Sequence, residues 1–372
     1  MTAANNERLK LFIAYRDAPE RRAALRAAPD DPERYRLFGL DEFRARGAAV
    51  HHNLERAGGP PALARAADRV INVPLYRLGG YGGDFASVLA SRRRANDADV
   101  VLATVDTVGL PLALLKRARL VSPRLVYISV GLPERLVQLR GERMIRRYRE
   151  ALATVDALIA YSVTEAEHLK TWLGEHAPRV EFVPFGVDTD AFRPDDSRSQ
   201  DVDVLSIGAD PRRDFELLLE IAGRHPDRSF RIVASTERAR ALPAPPPNVT
   251  LETDIGVDEV RDRIARSRVV ALPVRENTYS GATTTLLQAM AMAKPAVVSR
   301  TEAIATGYHL EDGINCRLVA PGDVEAFERT LLETLTGADA AISLGIRARE
   351  TVVRSLSWER YTDALWRILS AT

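Results

Sequence analysis

Twelve short runs rich in β-branched and apolar residues punctuate the chain, in two series of six. The first series is LKLFIAY (9–15), RVINVP (69–74), DVVLAT (99–104), RLVYIS (124–129), ALIAYS (157–162) and EFVPF (181–185). The second is VDVLSIG (202–208), FRIVAS (230–235), VTLE (249–252), RVVALPV (268–274), PAVVSR (295–300) and CRLVA (316–320). Many are continuously apolar, the pattern of parallel strands covered on both faces. Helical patterns lie between them. In FELLLEIAGRH, Phe215, Leu218, Leu219 and Ala222 recur at helical spacing, with Gly223 as a C-cap candidate. Strand–helix alternation in two stretches predicts an α/β chain with two Rossmann-like, parallel-sheet domains in tandem. The break is GVDTDAFRPDDSRSQDVDV (186–204), rich in Asp, Ser and Arg and carrying Pro194. The domains are therefore expected at 1–188 and 189–356. The last segment, 357–372, reads as an amphipathic helix with Trp358 and Trp366 that caps the second domain.

Length agrees, since 372 residues at about 150 per domain give two or three domains. With 52 Lys+Arg against 51 Asp+Glu, the balance gives no overall nucleic-acid footprint. A single cysteine, Cys316, excludes disulfide frameworks and cysteine-rich metal sites within the chain and fits a reducing cytoplasm. No apolar run reaches the ~18 residues of a spanning helix, and MTAANNERLKLFIAY lacks a leader-like apolar stretch. The expected location is cytoplasmic, with peripheral contact at the inner membrane face left open.

One stretch points to chemistry. YSGATTTLLQAMAMAKPAVVS (279–299) is a small, hydroxyl-rich turn opening a short apolar helix, followed by a strand. Free N–H groups at Thr283, Thr284 and Thr285, together with the helix dipole, suit an anion. The competing reading is a capping box from Thr285 to Gln288. A second loop, SIGADPRRDF (206–215), ends a strand at Gly208 and carries Arg212 and Arg213. Either guanidinium offers fixed donors to a diphosphate, or both are solvated and paired with Asp210 and Asp214. Arg275-Glu276-Asn277 follows another strand, where α/β sheets bind ligands.

Taken in order, AYSVTEAEHLKTWLG…VEFVPFGVDTDAFRP (160–194), VLSIGADPRRDFELLL (204–219), the 279–299 stretch and EDGINCRLVAPGDVEAF (311–327) resemble the retaining, nucleotide-sugar-dependent glycosyltransferases of family four, which have the GT-B architecture. The resemblance covers most of 155–365. Over 1–100 it is weak: the first strand runs into RDAPERRAALR where the family has a Gly-rich loop, and YISVGLPERL (127–136) lacks the family's histidine. It implies that the terminal helix crosses back onto the first domain. It also implies a donor site on the second domain and an acceptor site on the first.

In the family's Glu-x7-Glu element a first acid touches the donor sugar and a second accepts ribose hydroxyls. The matching residues here are Ser280 and Gln288. Gln288 keeps an amide oxygen for the ribose, whereas Ser280 cannot supply charge. The resemblance implies donor contacts from Gly208, Arg212, Asn277, Ser280, Gly281, Thr283, Thr284, Thr285 and Gln288. Arg212 or Arg213 matches the later of the family's two basic positions; Arg213, and Glu276 as a displaced acid, are the expected catalytic residues. Ala209 stands where the family has its first basic residue. Charge gathers on the leaving diphosphate, so N–H groups and an arginine aimed there lower the barrier. The acceptor would attack on the same face, assisted by the leaving phosphate. No cofactor or metal is expected: no Asp-x-Asp sits at a strand end, and His51-His52 are not at ligand spacing. The co-substrate is a nucleotide-diphosphate sugar, and the acceptor a small molecule, glycan or lipid-linked group.

On the acceptor side, LGGYGGD (78–84), read as a loop after a strand, offers Gly80 and Gly82. DTVGLPLALL (106–115) opens a helix at Asp106, a cleft residue or an N-cap. VGLPERL (130–136) offers Gly131. Arg140, Arg143, Arg146, Arg147 and Arg149 line a helix that is either a solvated face or a contact with anionic lipid. The lost acids leave one alternative of another class, a catalytically silent GT-B binding protein or partner subunit. A GT-B sugar-nucleotide epimerase fits the ordered segments less well.

Overall fold

The structure is a computed structural model describing residues 8–56, 58–195, 197–279 and 281–371. Two compact units divide the chain. One holds residues up to Val183 together with those from Thr362 onward, and the other spans Pro184–Tyr361.

The first unit is built on six parallel strands: β1 (Lys10–Ala14), β2 (Ala49–His52), β3 (Val100–Ala103), β4 (Arg124–Ser129), β5 (Ala157–Ala160) and β6 (Arg179–Phe182). Their order is β2-β1-β3-β4-β5-β6. The second sheet comprises β7 (Val202–Ile207), β8 (Phe230–Ala234), β9 (Val249–Thr253), β10 (Ser267–Leu272), β11 (Ala296–Ser299) and β12 (Arg317–Val319), in the order β12-β11-β10-β7-β8-β9. All ten pairings are parallel. Val100–Ala103, Ala157–Ala160 and Ala296–Ser299 are buried throughout, because helices cover both faces and no alternating polar side is needed. Both sheets reverse their strand order once, between β1 and β3 and between β7 and β10. Ligands in such sheets bind at the carboxyl ends beside that reversal.

The structure corrects several local expectations. RVINVP is not a strand but part of a helix, Ala62–Arg77, with Pro74 inside it. Leu75 is buried and Ile71 packs against the core, while Val70 and Val73 face outward. The sixth strand is the short AVHH run of β2, pairing with β1 from Lys10 against Ala49 to Ile13 against His52. Its two histidines break the apolar pattern that marks the other strands. LGGYGGD consequently follows a helix rather than a strand. Gly223 lies inside the Phe215–Arg224 helix, which His225 ends.

The last helix, Trp358–Ser370, is divided between the units. Trp358 and Tyr361 pack with Phe185 in the second. From Thr362 the helix belongs to the first, where Trp366 stacks on Phe43 (6.0 Å) and Asp363 pairs with Arg46.

Candidate functional site

In the second unit, the loops leaving β7 and β10 meet at the strand-order reversal. Backbone bonds join them: Asp214 N–H to the Pro273 carbonyl (3.0 Å) and Arg275 N–H to the Arg212 carbonyl (2.8 Å). The Thr283–Ala291 helix opens beside them, with Ala282 as its N-cap. Thr283, Thr284 and Thr285 are thus its first three residues, whose N–H groups no helix uses internally. The expected capping box is absent, since Thr285 lies inside the first turn. Its hydroxyl donates instead to the Ile207 carbonyl at the end of β7 (3.2 Å).

Arg213 donates from Nη2 to that same carbonyl. It is fully buried, and its Nε and Nη1 have no hydrogen-bond partner. The expected alternative of two solvated, paired arginines is therefore wrong for Arg213. Burial pushes its guanidinium down to about 10, against the opposing pull of Asp210. The side chain packs so closely on Gly208 that a Cβ there would stand 2.3 Å from Nε, which explains a glycine at the end of β7. Breaking or leaving open a buried charge pair costs about 3–5 kcal/mol in typical proteins, so a buried cation without an ion-pair partner is expensive to keep.

The remaining donor-side residues gather around this point. Asn277 is buried and its Nδ2 donates to the Arg275 carbonyl (2.8 Å), while its Oδ1 is unpartnered. Thr283 is buried with its hydroxyl unpartnered. Gln288 is buried one turn further along the helix. Arg212 is half-buried on the β7 loop. Ser280 lies outside the described residues. Glu276 points elsewhere: exposed, it accepts from its neighbour Asn277 (3.2 Å) and from the N–H of Glu302 (2.8 Å) on the following helix. Arg275 pairs with Asp214 and Glu216 rather than with Glu276.

Asp210 is the acid at the turn. Its Oδ1 accepts from the Arg212 N–H (2.7 Å) and the Tyr279 hydroxyl (3.2 Å), and its carboxylate lies against Gly281. The sequence reading treated Asp210 only as an ion-pair partner, and no motif marks it.

The first unit holds a second cluster, at the carboxyl ends of β3, β4 and β5. Asp106 is not an N-cap: Val105 caps the helix Asp106–Arg117, and the Asp106 side chain turns inward, fully buried. It accepts from the Tyr127 hydroxyl (2.8 Å), the Val130 N–H (3.2 Å) and Arg135 Nε (3.3 Å). The Arg135 guanidinium lies over the Tyr81 ring at 4.4 Å. Glu165, also buried, accepts from the Ser129 hydroxyl (2.6 Å) and the Gly131 N–H (2.7 Å). Burial pushes Asp106 up to about 6 and Glu165 up to about 8, the latter helped by the Asp106 charge. Of this cluster the sequence singled out Asp106 and Gly131, but not Glu165, Tyr127, Arg135 or Tyr81. Ser162-Val-Thr-Glu165 fits a helix-cap signature, and the Ser162 hydroxyl does accept from the Glu165 N–H (2.8 Å). The carboxylate itself goes to β4.

Gly80 and Gly82 flank Tyr81 in a loop held from both sides. Tyr148 donates to the Tyr81 carbonyl, and Asn72 exchanges two bonds with Gly83 (2.8 and 3.2 Å). A cavity of about 690 Å³ elsewhere in the same unit is lined by Asp17, Arg22, His52, Asn53 and Arg92. A larger one in the second unit, about 970 Å³, is lined by Lys294, Leu335, Ile342 and Ile346 and includes none of the turn residues. Of the basic run, Arg140 precedes the Glu142–Leu152 helix. On it Arg143 and Arg147 are exposed, Arg146 reaches Glu150 (3.8 Å) and Arg149 lies over Trp172 (5.1 Å). Among the described residues no helix is long and apolar enough to cross a membrane.

Known proteins resemble this arrangement. A family model described as Glycosyltransferase Family 4 matches residues 40–191, and one described as Glycosyl transferases group 1 matches 202–337. The MMP alpha-(1->4)-mannosyltransferase of Mycolicibacterium hassiacum is 26% identical over 302 residues, 74% of this chain and 70% of that protein. Sucrose-phosphate synthase from Thermosynechococcus elongatus superposes with a TM-score of 0.72 at 16% identity, over 97% of this chain and 98% of that one. Anabaena Alr3699/HepE in complex with UDP-glucose superposes with a TM-score of 0.66 at 12% identity, over 98% and 100%. Two glycosyltransferase matches that share out the chain, on two parallel sheets of this topology, make this protein a glycosyltransferase of the GT-B fold.

Proposed function

We propose that this glycosyltransferase moves a hexosyl group from a nucleotide-diphosphate sugar to an acceptor hydroxyl, with retention and without a metal. The donor binds the second unit at the turn before Thr283, and the acceptor binds the first at the carboxyl ends of its strands. The observation that carries this is Arg213. A fully buried guanidinium with two unpartnered nitrogens lies beside the N-terminus of the Thr283–Ala291 helix. Both are positive, and a diphosphate is the group that would balance them. At low effective dielectric such a charge acts over several ångströms, so Arg213 contributes from beneath the β7 loop. As the sugar leaves, charge grows on the phosphate, and fixed donors there stabilise the transition state more than the ground state.

The mannosyltransferase relative and the UDP-glucose-bound neighbour suggest the first donors to try. Purified protein is screened by thermal shift with UDP, GDP, ADP and dTDP, then with UDP-glucose and GDP-mannose. Stabilisation by at least one pair is expected, followed by transfer that persists in EDTA. NMR of the product reports the anomeric configuration. A protein that no nucleotide stabilises would sink the reading, and inversion would sink retention.

A further inference from the structure

The turn before the Thr283–Ala291 helix has no acid of its own, because Ser280 and Gln288 stand at the two positions where the resembling family has glutamates. Glu276, the nearest acid in sequence, is committed to the Glu302 N–H. A carboxylate is nevertheless present. Asp210, reaching across from the β7 loop, takes the hydroxyl of Tyr279 and lies against Gly281, so it touches both chain neighbours of position 280.

This approach is built rather than incidental. A Cβ at Gly281 would stand 3.1 Å from the Asp210 carboxylate carbon, so any side chain at 281 would push the acid away. The Arg212 N–H fixes the carboxylate from below (2.7 Å). Among the described residues both of these bonds fall on Oδ1, which leaves Oδ2 to accept from a ligand. The Asp210 charge also favours the buried Arg213 guanidinium.

We propose that Asp210 supplies, from the neighbouring loop, the carboxylate that position 280 lacks, and that it accepts hydrogen bonds from hydroxyls of the donor sugar. This rests on the donor-site reading above. A carboxylate beside the sugar does two things. It binds a hydroxyl through a charge-assisted bond, and it puts negative charge near the anomeric carbon, which becomes positive as the bond to phosphate breaks. It gives nothing to the diphosphate itself. The test is therefore the difference between binding a nucleotide sugar and binding the bare nucleotide.

Calorimetry compares UDP with UDP-glucose and GDP with GDP-mannose, for the wild type, Asp210→Asn and Asp210→Glu. Asparagine keeps the acceptor for Arg212 and so preserves the loop. In Asp210→Asn the sugar conjugate should lose about ten- to a hundredfold in affinity, the worth of a charged hydrogen bond, while the bare nucleotide binds as before. Asp210→Glu should fall between. The proposal is overturned if Asp210→Asn binds both forms equally more tightly, which would make Asp210 a counter-anion occupying the phosphate position. It is equally overturned if neither affinity changes. A wild-type protein that binds neither nucleotide overturns the donor-site reading and this inference together.

Discussion

Arg213 and Thr285 end on the same atom. The guanidinium from the β7 loop and the hydroxyl from the first turn of the Thr283–Ala291 helix both donate to the Ile207 carbonyl. The bond fixes the distance between a buried cation and a helix N-terminus, two positive ends that ordinary folding would keep apart. The carbonyl dipole eases the cost of burying the guanidinium without cancelling its charge. The arrangement is the one that the diphosphate proposed above would complete.

Replacing Arg213 by methionine separates structure from function. The variant loses one charge-assisted hydrogen bond, about 1.5–3 kcal/mol, and the attraction of Asp210, but it also removes a charge that burial disfavours. Its unfolding temperature without ligand should therefore match or exceed that of the wild type. Nucleotide affinity should fall by about ten- to a hundredfold. A drop of several degrees in thermal unfolding would mean that Arg213 serves the fold alone.

Glu276 offers the contrary expectation. Its carboxylate is exposed and accepts from the first N–H of the helix after β11. Glu276→Ala should cost about 1 kcal/mol as a lost cap, seen in a denaturation midpoint, and leave turnover within a few-fold of the wild type. A loss of two orders of magnitude in kcat would restore it as the acid of the reaction.

The fold was legible in eleven of the twelve apolar runs, because strands buried on both faces leave unbroken apolar stretches that few other structures require. RVINVP misled because its residues are β-branched, whereas packing of Ile71 and Leu75 decided for a helix. In the candidate donor turn, the sequence marked the places where backbone would do the work, Gly208 and Thr283–Thr285. Asp210 and Glu165 were not marked. Each lies far in sequence from the groups it meets, Gly281 for one and Ser129 for the other, and neither spacing nor composition encodes that approach. Burial of Arg213 was hidden for the same reason, since the loop pattern fits a solvated arginine equally well.

The paired buried acids of the first unit set its pH response. In the fold Glu165 holds its proton up to about pH 8 and Asp106 up to about pH 6, in both cases chiefly through burial. An unfolded chain releases these protons near the ordinary carboxylate values of about 4. Between about pH 4.5 and 8 the folded state thus binds more protons than the unfolded one, and stability must fall as pH rises through that window. The contribution is fully present on the acid side and gone above about pH 8. Glu165→Gln cannot ionise, yet its amide oxygen can still accept from Ser129 and Gly131. The variant should match the wild type near pH 5, exceed it near pH 8, and show a flatter dependence of urea midpoint on pH. An unchanged slope would mean that Glu165 is already ionised in the fold, with its charge balanced by the Ser129 and Gly131 donors.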